Sequence, residues 1–206
     1  METKLEHNRP NYTRFLSEDK KVISNHHVWD IKGSNSPDHL NKHWNGQRAL
    51  TDSCIGVGTR VFYEVEYQYT VIGILQPKDL VLEVGLGERD HINKYFYLGT
   101  NKTGGWSFCI YKEGKGLNLI AQHLFEYERI DLLHTDDTIG SNKVGVFNIL
   151  VDRISNSFSL TNNGIKFHEF TDVISNAELC PVLSLYNEDK IDVRMKLIRS
   201  LNLTVL

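Results

Sequence analysis

The sequence has few of the features that mark enzymes, membrane proteins or nucleic-acid binders. It holds only 4 prolines and 3 cysteines in 206 residues, so neither a Pro-rich linker nor a disulfide ladder organises it. Cys54, Cys109 and Cys180 are odd in number, far apart and set among strand-like residues. That pattern predicts reduced core thiols in a cytoplasmic protein. No apolar run approaches about 18 residues, so no membrane-spanning helix is predicted. The N-terminal stretch is too polar for a signal peptide, and the sequons at Asn11, Asn101 and Asn202 matter only on a secreted chain. Charge of one sign is also missing. The formal net charge is −3, without the clustered basic surface that nucleic acid requires.

Catalytic motifs are absent as well. There is no Gly-x-Ser-x-Gly elbow, His-Glu-x-x-His pair, Cys-x-x-Cys pair or P-loop. His39 and His43, with His26 and His27 nearby, would share a face as zinc ligands if that stretch were helical. No third ligand is evident, and a polar loop with surface histidines is the plainer reading. Gly56-Val57-Gly58 and Gly85-Leu86-Gly87 open no helix that could hold a pyrophosphate, so they read as glycine kinks at strand ends. Cys109 behind Trp106 reads as a core thiol. No catalytic residue, metal or cofactor is predicted.

What the sequence does contain is strand pattern. The stretch from Lys143 to Leu185 organises it: an apolar strand over Val144 to Asp152, an alternating one over Ser157 to Thr161, and Asn162-Asn163-Gly164 leading into Ile165 to Phe170. Asn-Gly between two such runs predicts a hairpin, because a type I′ turn needs positive φ at both central residues. Val61 to Thr70 alternates, with Val61, Tyr63, Val65, Tyr67 and Tyr69 on one face. Further strands are predicted over Phe15–Ile23, His27–Ile31, Leu80–Leu86, Tyr95–Leu98, Trp106–Tyr111 and Ile191–Ile198. Gly33 to Gly46 reads as a long surface loop. Lys112 to Asn142 is mixed, with a short strand near Leu117 to Ile120 and a turn-rich Asp131 to Ser141. Regular strand spacing with almost no amphipathic helix predicts an all-β, two-sheet antiparallel β-sandwich. The expected layout is a lead-in over residues 1–11, one sandwich domain over 12–198 and a tail over 199–206.

The order of these motifs resembles a SPRY domain. Val144-Gly145-Val146, Asp152 opening a turn, Asn163-Gly164 and Pro181 to Leu185 follow in the family's sequence. Upstream, Val61 to Glu66, Val84-Gly85-Leu86-Gly87 and Gly105-Trp106-Ser107-Phe108 match too. Leu16 to Val22 is similar to the PRY segment that precedes SPRY in tripartite-motif and butyrophilin proteins. Asn156 stands where the family turn usually holds Gly, and the strand before Asp152 is about three residues too long for the family, which implies a bulge or an extended strand.

The resemblance implies a jelly-roll or concanavalin-like topology and non-catalytic recognition of a protein or peptide by strand-end loops. It further implies the substrate-reading part of a tripartite-motif ubiquitin ligase, acting as a monomeric module in the cytoplasm without binding nucleic acid or membrane. Carried over residue by residue, the implied partner-binding positions are Asp90 with its neighbour Arg89, Tyr111, and the pair Tyr186 and Asn187. Trp44 in the long loop is a further candidate. Tyr111 and Tyr186 fit packing at the core edge equally well, and Asp90 fits a turn cap. The alternative is a lectin-like sandwich that binds carbohydrate or a small molecule, since the architecture does not fix the ligand.

Overall fold

A computed structural model describes residues 5–7, 15–17, 19, 21–25, 46–51, 54–92, 98–100, 104–187 and 189–204. The elements are β1 (Leu5–His7), β2 (Phe15–Leu16), β3 (Val22–Ser24), β4 (Gly46–Thr51), β5 (Arg60–Val71), β6 (Leu80–Glu88) and α1 (Arg89–Ile92). They continue with β7 (Trp106–Glu113), β8 (Gly116–His123), β9 (Glu126–His134), β10 (Asn142–Asp152), β11 (Ser157–Asn162), β12 (Ile165–Phe170), β13 (Leu179–Tyr186) and β14 (Ile191–Asn202). One sheet runs β1-β4-β13-β6-β7-β8-β9 and the other β12-β11-β10-β5-β14-β3-β2. Every named pairing is antiparallel. This is the two-sheet sandwich that the strand pattern predicts. The predicted strand at His27–Ile31, the one at Tyr95–Leu98 except for Leu98, the histidines at 26, 27, 39 and 43, and most of the loop from Gly33 lie outside the described residues.

The alternation in β5 does what period-two patterning requires. Tyr63, Val65, Tyr67 and Tyr69 are buried, while Phe62, Glu64, Glu66 and Gln68 face outward. β5 pairs with β10 along its whole length and with β14 on its other edge. Their inward residues, Phe147, Ile149, Val193 and Met195, meet Leu82, Val84, Leu86, Phe108 and Leu119 of the opposite sheet in one core.

At the centre of the sheet the Tyr67 ring stacks on Phe147 at 4.3 Å between centroids, and its hydroxyl donates to Asn162 Oδ1 at 3.1 Å. Burial pushes its phenol pKa up to about 12. Gly145 makes room for it, because a Cβ there would overlap the Tyr67 ring. The glycine of Val-Gly-Val is thus a packing requirement rather than a hinge.

Asn163 (φ 50°) and Gly164 (φ 80°) both take left-handed backbone, as the hairpin reading requires, and Asn163 Oδ1 accepts from Val146 N at 2.8 Å. Asn156 sits at φ 54°, doing the work of the expected glycine. Asp152 Oδ1 accepts from the backbone N–H groups of Ile154 and Ser155 at 2.9 and 3.0 Å, and Arg60 lies 3.3 Å from its other oxygen. Partial burial works against its charge, but those donors and Arg60 prevail and hold its carboxyl below the usual carboxylate range. β10 is an extended strand whose pairing with β5 and β11 shows no register shift; the bulge lies instead in β12, where Phe167 is the extra residue opposite Leu160/Thr161. β14 runs on to Asn202 beside β5, so the predicted tail is largely a continuation of a central strand.

The fold also corrects the mixed reading of residues 112–142. That stretch forms two full strands, β8 and β9, joined by Leu124-Phe125 at φ 50° and 67°. Neither Gly nor Asn marks the turn, and Glu126 to Glu128 are exposed on both faces, so no alternation betrayed the strand.

Two outcomes follow from this packing. Gly145→Ala should lower the free energy of unfolding by about 1–3 kcal/mol through overpacking against Tyr67, measured by urea denaturation. Asp152→Asn should destabilise at neutral pH. Because the folded pKa is depressed, the wild-type advantage is fully present above about pH 4 and should vanish as pH falls below it, as read from denaturation midpoints across pH.

Candidate recognition surface at the α1 end

Strand directions divide the loops between two ends. One end gathers α1, the segment 54–59, residues 98–100 and 104–105, the turn 124–125, the turn 153–156 and the segment 171–178. The other gathers the β5–β6, β7–β8, β9–β10, β11–β12 and β13–β14 connections.

At the first end, Ile92 and Leu98 plug the outer face of β6, where they form a buried cluster with Cys180 and Val182. Gly85 and Gly87 make the seat: a Cβ on Gly87 would stand 2.8 Å from Ile92, and one on Gly85 would strike Leu98. These glycines are therefore seats for an apolar plug, not kinks at strand ends. The plug holds α1 so that Arg89 and Asp90 face solvent. Arg89 donates to Cys54 Sγ at 3.0 Å. Glu88 lies 3.6 Å from His91 and accepts from Ser175 Oγ at 2.7 Å.

The cysteines require a correction. Cys54 and Cys180 form a disulfide, and only Cys109 is free. Two cysteines 126 positions apart gave no local signal; β13 and the segment before β5 bring them together, as the Ile55–Leu179 bridge shows. The cysteines therefore no longer argue for a reducing compartment. Cys109 is fully buried, and burial followed by the nearby Glu83 charge pushes its thiol pKa well up, which makes it unreactive.

Arg153, which the sequence reading passed over, ties three loops. It is 2% exposed and donates to the carbonyls of Ile55, Ala177 and Ser175 at 3.4, 3.2 and 2.5 Å. Around it Val57, Ile154 and Ile174 project into solvent. On the other side of the same end, Phe125 N donates to Gly99 O at 2.7 Å, which sets the β8–β9 turn against the turn that follows α1. Leu124 and Phe125 are 43% and 54% exposed there. Two bulky residues at positive φ cost of order 1 kcal/mol or more each.

The predicted site residues do not all converge. Arg89 and Asp90 stand at the α1 end. Tyr111, Tyr186 and Asn187 lie at the opposite end of the sheet, separated by the length of β6, about 26 Å. Tyr186 is 0% exposed and donates to Glu83 Oε2 at 2.6 Å, so its side chain offers no surface to a partner. Tyr111 is buried beside it and donates to Glu113. Asn187 (φ 48°) shapes the turn before β14 and donates to Leu80 O at 2.7 Å. Trp44 lies outside the described residues. Trp106 is a core residue, stacked on His123 at 4.8 Å.

Among the described residues no three His, Cys, Asp or Glu side chains converge as metal ligands, and no helix is long and apolar enough to cross a membrane. An apolar cavity between the sheets, lined by Tyr63, Val84, Phe158 and Leu183, measures about 20 Å³. A small-molecule site occupies about 300 Å³ or more.

No protein-family model matches the chain, and no curated protein matches it in sequence. Solved structures do match in fold. The TRIM65 PSpry domain is 13% identical over 97% of this chain and 90% of its own, with a TM-score of 0.60. The carbohydrate recognition domain of Emp46p is 11% identical over 95% and 87%, at 0.56. A Bauhinia forficata lectin, solved in complex with GalNAc, is 9% identical over 98% and 93%, at 0.56. The chain thus has the two-sheet sandwich shared by SPRY and lectin domains. Within that class a SPRY-type domain fits it over nearly its whole length.

The disulfide has a direct check. Denatured without reductant, the protein should expose one thiol to a thiol reagent, and after reduction all 3 cysteines should react.

Proposed function

We propose that the chain is a non-catalytic recognition module whose α1 end docks on a protein or peptide. The observation that carries this reading is the Leu124-Phe125 turn. Two large apolar side chains are held out to solvent on unfavourable backbone, and such outliers persist where they serve a site. Phe125 would act as the anchor, burying its ring in a partner pocket. Arg89 and Asp90 would supply charged contacts at the rim, which set orientation and encounter rate more than affinity.

The opposite end also exposes isoleucines, Ile72, Ile74 and Ile139. Its loops, however, are fastened by the Lys190–Asp79 and Lys112–Asp137 ion pairs, which suits a closed end of the sandwich. Recognition of carbohydrate, as by the Emp46p domain and the Bauhinia forficata lectin, calls for a dense set of polar donors and acceptors. The aliphatic and phenyl groups at the α1 end suit a protein surface better. By analogy of fold with the TRIM65 domain, the reading extends to substrate selection for a ubiquitin ligase of the tripartite-motif kind. The fold likeness and the motif order support that extension, and fold alone does not fix function.

Phe125→Ala should weaken partner binding about 30-fold, the effect of losing roughly 2 kcal/mol at a hot spot. Partners captured from lysate by wild type would be compared with those captured by Phe125→Ala, by Arg89→Ala with Asp90→Ala, and by Ile165→Ala on the opposite end. Loss confined to the first two supports the reading. Unchanged capture by both overturns it.

A further inference from the structure

Beyond the recognition surface, β9 presents an unusual edge. Among the described residues it pairs only with β8 and closes its sheet. It is nine residues long with neither proline nor lysine, and its charged residues, Glu126, Glu128, Arg129 and Asp131, include both signs, so they need not repel a second strand as a like-charged edge would. Tyr127, Ile130 and Leu132 along it are 48%, 43% and 58% exposed. An edge with apolar side chains and unpaired backbone groups is a template for another strand.

The sequence of β9 identifies that strand. We propose that β9 pairs antiparallel with β9 of a second copy, about a two-fold axis at Ile130, joining two seven-stranded sheets edge to edge. In this register Ile130 meets its own copy, and Arg129 on each chain faces Asp131 of the other. Arg129 and Asp131 already hold each other through two hydrogen bonds of 3.1 Å while remaining about half exposed. Pairing turns two such ion pairs into a square of alternating charge, a network rather than isolated bridges.

On the opposite face of the strand, Ile130 and Leu132 project on the side of Ile120 and Asn118, their partners in β8. In this register Ile130 would meet Ile130 of the second copy directly, and Leu132 would meet it diagonally. Other two-fold registers fail on charge. Centring on Glu128, Arg129 or Asp131 sets a charge against its own copy. Centring on Leu132 places Arg129 opposite Thr135 and Asp131 opposite Leu133.

Register shifts in the β8–β9 pairing leave Glu128 and Leu133 as extra residues. Bulges blunt an edge, and here they confine regular strand to Arg129 through Leu132. That segment contains the complementary charges and the central isoleucine, so the seam is short but specific in register. A two-fold interface of this kind is self-complementary by construction, and it replaces the expectation of a monomer.

Sedimentation equilibrium of the full chain over a concentration series tests the seam. Wild type should show a monomer–dimer equilibrium. Arg129→Asp and Asp131→Arg should each weaken it about tenfold or more with unchanged circular dichroism and melting. Mixing the two variants should restore a dimer containing one of each, seen by native mass spectrometry, because the charges are again opposite. A wild type that stays monomeric at its solubility limit, variants that dimerise as tightly as wild type, or a mixture that forms no mixed dimer would each overturn the proposal.

Discussion

The sandwich depends on one side chain finding room inside a sheet. Tyr67 lies at the centre of β5, which is paired on both edges, and its ring needs the space that Gly145 leaves on the neighbouring strand. Because side chains alternate along a strand, fixing Tyr67 inward fixes Tyr63, Val65 and Tyr69 inward as well. The register of β10 against β5, and then of the Asn163-Gly164 hairpin against β10, follows from that pairing. The hydrogen bond from Tyr67 to Asn162 closes the link between β5 and the hairpin.

The same logic of small residue and large neighbour builds the α1 end. Gly85 and Gly87 thin the outer face of β6, Ile92 and Leu98 fill it, and the four-residue helix between strand and plug is held with its charged residues outward. The Cys54–Cys180 disulfide borders that plug and Arg89 reaches its sulfur. Arg153 does by hydrogen bonding what the plug does by packing, since one buried guanidinium satisfies carbonyls from separate segments. A rigid frame that presents exposed loops at one end is the general form of a recognition domain.

Much of the frame was legible because its signals are local. The alternation of β5, the Asn-Gly turn, the Asp152 turn and the tolerance of Asn156 for left-handed backbone each depend on a few adjacent residues. The site was less legible. Asp90 and Arg89 are exposed, but they stand on the short helix α1 rather than in the expected loop, and Tyr111 and Tyr186 could not be told from core by type, and both are buried on the sheet's outer face. Phe125 went unread because a two-residue turn built from Leu and Phe contradicts the usual turn chemistry. β9 went unread because its residues are exposed on both faces at its start and bulged within it.

By itself the sequence determined the fold class, most strands of the two-sheet core and the Asn163-Gly164 and Asp152 turns, since hydrophobic alternation and φ preference act over neighbouring residues. Only the tertiary structure decided which ends the loops occupy, that Cys54 meets Cys180, that Arg153 joins three segments, and that Leu124 and Phe125 stand beside the turn after α1. Those are contacts between residues far apart in the chain, and their geometry is set by strand order and register, which no local pattern carries.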